Sequence, residues 1–257
     1  MATTPFRPAP ALVDALPDGA AAAASSVGVP MVLIHGMASS AAQDFEGSGL
    51  LAALHGAGRD VVLVDLPGHG SAAGEAGAGE AGAVPVLSVP ALLGQIAAGV
   101  AALVDGPVDV LGFSLGSRLA WDLPAAGLNV RRLVLLGLAP QEPFGSLDLE
   151  AFTSVVLEGA APIDPLTGMI AGMVSQPEAG RVERVGLVAA LGAIPFDPAS
   201  APSVPTLVAA GAEDPVAGSP EWAAGALAAG STLVVPGDHV GSLLSPEFRE
   251  AALAFLA

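Results

Sequence analysis

The chain contains no cysteine, no tyrosine and no lysine, and its eight basic residues are all arginine. Without cysteine there can be no disulfide, thiolate nucleophile, iron–sulfur cluster or Cys-type zinc site. Without lysine there is no P-loop lysine, no Schiff-base chemistry and no anchor for pyridoxal phosphate. The arginines are scattered and face 25 acidic residues, giving a formal charge of −17. That balance opposes nucleic-acid binding, which needs a basic stripe, and opposes docking on anionic membranes. Only 13 % of residues are charged, so the acidity reflects missing bases more than a dense acidic shell.

Long apolar runs are missing too. Ala20–Ala24 follows Asp14 and Asp18 and is broken by Ser25, Ser26 and Gly28, well short of the roughly 18 residues a spanning helix needs. Met1–Pro10 carries one arginine and three prolines, a poor basic leader for secretion. A cytoplasmic protein without a membrane span is expected.

What is present is a 257-residue chain that is 53 % hydrophobic, ample for one large α/β core. Apolar runs recur at Met31–His35, Val61–Asp65, Val108–Leu111, Leu133–Leu136, Thr206–Ala210 and Thr232–Val235. Runs this apolar read as strands buried on both faces, as in a parallel sheet. Between them, Leu50, Leu51 and Leu54, then Leu92, Leu93, Ile96, Val100, Leu103 and Val104, have helical spacing, as do Leu115–Leu123 and Pro246–Leu256. The alternation predicts βαβ units on a mostly parallel sheet flanked by helices. Leu12–Leu16 and Ala20–Ser26, separated by Asp18-Gly19, read as an antiparallel edge hairpin. Gly70–Gly82 reads as a mobile surface loop. Residues 139–200 separate two strands by more than a connection requires and hold helical material at Phe152–Leu157, Met169–Val174 and Val182–Leu191. They are expected to form a helical cap inserted into a core made of residues 1–138 and 201–257.

The chemistry centres on Gly112-Phe113-Ser114-Leu115-Gly116. In a chain with 33 glycines chance alone produces roughly 0.3 such G-x-S-x-G matches. This one lies where a predicted buried strand ends and a predicted helix begins, the setting a nucleophile elbow requires. A serine hydroxyl needs a base within hydrogen-bond reach. Of the four histidines, His35 and His69 read as turn- and loop-ordering residues and His55 as a solvated one. His239, four residues beyond Val235, should stand at the carboxyl edge of the sheet with Ser114, where such sheets bind ligands. The acid that orients the imidazole is best sought at Asp214, after the fifth strand. Glu213, Glu142 and Asp238 are its competitors. An oxyanion would be met by backbone amides, by position those of Leu115 and Met37.

Together the His35-Gly36 turn, Asp65-Leu66-Pro67-Gly68-His69-Gly70, the elbow, Gly211-Ala212-Glu213-Asp214 and Gly237-Asp238-His239 resemble the α/β-hydrolase fold, in the chain order Ser114, Asp214, His239. Ser117 stands where many relatives carry a second glycine, and a small residue still fits. The resemblance implies a cofactor-free serine hydrolase acting on an ester, thioester or lactone, with no metal. It leaves substrate open, because this fold hosts many chemistries. The elbow followed by Arg118 also resembles the menaquinone-pathway lyases of the fold, in which case Arg118 would hold a substrate carboxylate. An i, i+4 ion pair with Asp122 is the favoured role for that arginine. A non-catalytic ligand-binding protein is the third reading. In the predicted cap, Phe144, Met169 and Met173 are candidates to line a pocket for an apolar acyl or aryl small molecule, with methionine adapting to varied shapes. Phe152, Ile163, Ile170 and Phe196 could line it too, and for most of the seven a place in the cap's own small core is the favoured role.

Overall fold

The computed structural model describes residues 13–15, 28–73, 84 and 87–257. Seven strands form one sheet: β1 (Val13–Ala15), β2 (Met31–Ile34), β3 (Val61–Val64), β4 (Val108–Phe113), β5 (Val130–Leu136), β6 (Thr206–Gly211) and β7 (Gly230–Val235). Their order is β1-β3-β2-β4-β5-β6-β7. All neighbours are parallel except β1, which pairs antiparallel with β3, Val13 opposite Val64.

Each central strand buries both faces by alternation. Val32, Ile34, Val62, Val64, Val110, Leu133 and Leu135 pack into one core. Met31, Leu33, Val61, Leu63, Leu111, Val134 and Leu136 pack into the other. Burying each such side chain is worth about 1.5–3 kcal/mol, so a one-residue slip would be heavily penalised. The first face is covered by α3 (Val89–Leu103), α4 (Leu115–Asp122), part of α7 (Arg181–Ala193) and α8 (Trp222–Ala226). The second is covered by α1 (Ala41–Gly47), α2 (Leu50–Gly56), α9 (His239–Leu244) and α10 (Pro246–Leu256). Ser40, Ser88 and Ser245 cap α1, α3 and α10 through their hydroxyls, each worth about 1 kcal/mol.

The strand order matters for the site. From β2 the chain moves to β3 on one side, then returns to β4 on the other. The loops leaving β2 and β4 therefore diverge, opening the crevice that α/β sheets present at a topological switch point.

Between β5 and β6 lie α5 (Leu149–Thr153), a π-helical turn at Ser154–Glu158, α6 (Pro165–Val174) and α7. They share a small core of Phe152, Val156, Ile170, Ala171, Val174, Val185 and Val188. Helix α7 faces two ways, since Leu187 and Leu191 belong to the main core.

Some expectations need correction. Val13–Ala15 is an edge strand, but it pairs with β3; Ala20–Ser26 lies outside the described residues. Gly70–Ala72 forms a short 3-10 turn, and residues 74–82 of the expected loop also lie outside the described residues. Nothing in the apolar pattern announces the short helices α1 and α8, and His239, at the expected edge of the sheet, is the first residue of a further short helix, α9. Among the described residues no helix is long and apolar enough to cross a membrane.

Candidate active site

Strand β4 ends at Phe113 and α4 begins at Leu115, so Ser114 alone makes the reversal from strand to helix. Its φ of 53° and ψ of −115° are unusual for a residue with a side chain, a conformation that costs about 1–3 kcal/mol. Glycine neighbours make it possible. A Cβ on Gly116 would stand 2.0 Å from the Ile34 carbonyl oxygen, and one on Gly112 would stand 2.5 Å from the Gly116 backbone. The Ser114 N–H donates to the Leu136 carbonyl at 2.8 Å. The Ser117 hydroxyl lies 2.7 Å from Gly112 O and 2.8 Å from Leu136 O, so this departure from glycine ties the elbow to two strands.

His239 reaches the elbow from the far side of the sheet. Its Nε2 lies 2.8 Å from Ser114 Oγ, and its Nδ1 lies 2.8 Å from Asp214 Oδ2. With Nδ1–H donating to the carboxylate, Nε2 is left to accept the serine hydroxyl. The Asp214 side chain is fully buried, and its Oδ1 accepts the Val216 and Ala217 N–H groups at 2.8 and 2.9 Å. A buried carboxylate with three donors has its charge satisfied. Its competitors are elsewhere: Glu213 is exposed, Asp238 accepts the Gly241 N–H as the cap of α9, and Glu142 accepts from Arg118 and the Phe196 N–H. Gly137, just past β5, makes room for the imidazole, since a Cβ there would lie 2.8 Å from His239 Cε1. The sequence offered a signal for Gly137 only in its place directly after a buried run.

The loop after β2 lies against the elbow: a Cβ on Gly36 would meet the Phe113 ring at 3.1 Å and Ser114 Cβ at 3.4 Å. Its amides are held from three sides. Gly36 N–H donates to Asp44 Oδ2 at 2.9 Å, Ala38 N–H to His69 Nε2 at 3.0 Å, and Ala41 N–H to Asp65 Oδ1 at 2.8 Å. Among the described residues, the amides of Met37 and Leu115 make no such bond to a protein group. Sequence reasoning missed Asp44 and Asp65 as loop holders, since spacings of 8 and 24 residues carry no periodic signal.

His35 and His69 order loops, as expected. His35 donates from Nδ1 to Gly36 O and accepts the Leu66 N–H at Nε2. Burial lowers its pKa from the ordinary value. His69 donates from Nδ1 to Pro67 O, and burial, with His35 nearby, depresses its pKa to about 3. His55 is exposed in the last turn of α2.

Arg118 corrects the substrate-binding expectation. Its guanidinium is occupied by Asp122 at 2.6 Å, Glu142 at 3.3 Å and Ile194 O at 3.3 Å, and it lies over the Phe196 ring. Little of it remains for a carboxylate, so the i, i+4 pairing holds. Phe144 is half-buried between the main and the small core. Met169 and Met173, on one side of α6, are 57 % and 45 % exposed. Among the described residues no side-chain hydrogen bond or ring contact joins any of these four to Ser114 or His239; Arg118 meets Ser114 only through its backbone N–H, which donates to Ser114 O at 3.1 Å. Phe152 and Ile170 are core; Phe196 is buried against Trp121 and Trp222; Ile163 is exposed.

A cavity of about 650 Å³ lies at the opposite end of the sheet, bordered by Pro30, Arg59, Asp105, Arg131 and Leu256. It is remote from Ser114. Among the described residues no cluster of three or more His, Asp or Glu could hold a metal ion.

A parallel sheet with a strained serine at the strand–helix elbow, hydrogen-bonded to a histidine and a buried aspartate from later strand ends, defines an α/β-hydrolase architecture. Residues 29–165 match the alpha/beta hydrolase fold family, and the chain belongs to that family. No curated protein matches the sequence. Among solved structures the fold is similar to an esterase from Thermogutta terrifontis, at 19 % identity, 91 % of this chain, 92 % of that chain and a TM-score of 0.67. It is similar to the enol-lactonase from Burkholderia xenovorans at 18 % identity, with 89 % and 91 % of the chains covered and a TM-score of 0.66. NosK from Streptomyces actuosus is 26 % identical over 88 % of this chain and 97 % of its own, with a TM-score of 0.61.

Proposed function

We propose that the protein is a cofactor-free serine hydrolase that cleaves a carboxylic ester, thioester or lactone through an acyl-enzyme. The observation that carries this reading is the relay from Ser114 Oγ through His239 to Asp214, both steps at 2.8 Å. In this reading Ser114 Oγ attacks the acyl carbon while Nε2 of His239 takes its proton, and Asp214 stabilises the imidazolium. The carbonyl oxygen becomes an oxyanion facing the Met37 and Leu115 amides. His239 then returns the proton to the leaving oxygen or sulfur as the bond to it breaks. Water repeats the sequence on the acyl-enzyme and frees the acid and Ser114.

The lyase reading loses its support because Arg118 is occupied by Asp122 and Glu142. A small apolar acyl or aryl substrate is the class we favour. A net charge of −17 repels polyanions, and exposed Ile163, Met169 and Met173 give residues 139–200 an apolar surface. We take those residues as a cap on a core formed by the rest of the chain.

The test is hydrolysis of p-nitrophenyl esters of increasing acyl length. Ser114→Ala is expected to lower kcat by about 10⁴–10⁶ while the protein stays folded, as when a nucleophile is lost from such a relay. Turnover unchanged in that variant would refute the assignment.

A further inference from the structure

We propose that His69 is a positioning residue for the oxyanion-binding amide of Met37, acting through the backbone of Ala38 and itself anchored from the 139–200 segment by Arg184. The proposal rests on the reading of Ser114 as nucleophile and goes beyond it, because His69 touches neither substrate nor Ser114.

Three observations carry it. Among the described residues Ala38 is one of two non-glycine residues with positive φ, at 60°, and the other is Ser114. A left-handed alanine persists only where its surroundings impose it. The group that imposes it is His69, whose Nε2 accepts the Ala38 N–H at 3.0 Å across 31 residues of sequence. On the other side Gly36 N–H is held by Asp44, which also accepts the Ser39 hydroxyl at 2.5 Å. The peptides flanking the Gly36–Met37 unit are thus held, and the carbonyl of that unit, Gly36 O, accepts from His35 Nδ1 at 2.6 Å, so the direction of the Met37 N–H is set from both sides.

The imidazole is prepared for this work. Nδ1 faces the Pro67 carbonyl at 2.9 Å and must carry the hydrogen, so Nε2 offers a lone pair. Only the neutral ring satisfies both partners. Its surroundings favour that form: it is buried 5.1 Å from the His35 ring, beside the turn that Arg184 grips.

Arg184 is 1 % exposed and pairs with no carboxylate among the described residues. Its Nη1 donates to Gly68 O at 2.5 Å and to Ala179 O at 3.0 Å, its Nε to Val174 O at 2.8 Å, and its Nη2 to Pro177 O. Four carbonyls therefore satisfy a buried cation, three of them from residues 139–200 and one from the His69 turn. The backbones meet so closely there that a Cβ on Gly68 would lie 2.3 Å from Gly180 O, and one on Gly180 2.3 Å from Gly68 O. The route from cap to oxyanion loop thus runs Arg184, Gly68, His69, Ala38, Met37.

The test compares His69→Gln, whose amide reaches the Nε2 position, with His69→Asn, which mimics Nδ1 and falls short of Ala38. After folding is verified by the thermal midpoint, His69→Asn should lose about 10²-fold in kcat on a p-nitrophenyl ester, with KM moving less than threefold. The loss resembles that from removing one oxyanion donor. Binding of a boronic-acid transition-state analogue should weaken in parallel, and His69→Gln should recover to within tenfold of wild type. Equal activity of His69→Asn and wild type, or equal failure of both variants, overturns the proposal while Ser114→Ala still tests the hydrolase reading separately. Absence of wild-type turnover removes both. Should neither variant fold, nitrogen-15 NMR of the wild-type imidazole decides: a neutral ring with hydrogen on Nδ1 between pH 8 and 5 is expected, and hydrogen on Nε2 overturns it.

Discussion

The two glycines that frame Ser114, Gly112 on β4 and Gly116 in the first turn of α4, do different work from an exposed glycine in mid-helix. At Gly116 a methyl would enter the Ile34 carbonyl, and that backbone belongs to a central strand that cannot retreat. Gly116→Ala is expected to cost more than about 3 kcal/mol, above the usual range for overpacking, read as a drop in the urea midpoint. Gly94, exposed in the middle of α3, has nothing within 4 Å of such a methyl. Gly94→Ala should stabilise the protein by about 0.5–1 kcal/mol through helix propensity. If both shift the midpoint alike, the close approach at the elbow is not what fixes Gly116. Ser114, His239 and Asp214 were legible because each follows a strand that could be recognised. Gly137, Asp44 and Asp65 were not, because their roles exist only once distant segments meet.

Elements built on dense apolar patterns were readable and short ones were not. The central parallel strands announce themselves as mostly apolar runs because both their faces are buried, whereas β7, whose run reads the same way, leaves Gly230, Ser231, Thr232 and Val234 exposed. Helices α8 and α9 span 5 and 6 residues, too few for a period to emerge, and α1, though as long as α2, buries only Ala41 and Phe45 where α2 buries three leucines. Strand β4 also has a function that its sequence hid. Its Asp109, fully buried, accepts from Arg59 at 2.5 Å and from Arg131 at 2.6 and 2.9 Å, and both arginines also bond the Leu256 carbonyl. The cluster fastens the foot of the elbow strand to the end of α10. Asp109→Ala would leave Arg59, only 9 % exposed, without its counter-ion. A loss of about 3–5 kcal/mol is expected, checked by denaturant unfolding, while p-nitrophenyl ester KM should hold because the cluster lies at the end remote from Ser114.

At the scale of the whole molecule, charge and buried histidines set the acid limit. His69 titrates at about 3 in the folded state against 6.5 when free, and burial lowers His35 as well. The folded pKa values are depressed, so the unfolded chain takes up protons first as pH falls. Stability is therefore complete above about 6.5 and is lost progressively toward pH 3, by on the order of a few kcal/mol from His69 alone. Thermal midpoints measured from pH 8 to 4 should fall below pH 6.5, and His69→Gln should flatten that slope. A midpoint independent of pH in wild type would contradict it. The net charge also approaches zero near the sequence pI of about 4.2, where solubility should be least. Fold and family were legible in the sequence at this scale because motif order and strand order agree. The fastening of residues 139–200 through Arg184 was not, since a buried arginine bonded to carbonyls has no sequence signature.

The central claim is that one alcohol among many is activated by its place at the sheet edge. A fluorophosphonate probe reads this directly, since it phosphonylates only a serine whose proton a neighbouring base can remove. Intact-mass and peptide analysis should find one label per chain, on Ser114, and almost none in His239→Ala. Labelling of another residue, or equal labelling of Ser114 without His239, would contradict the account.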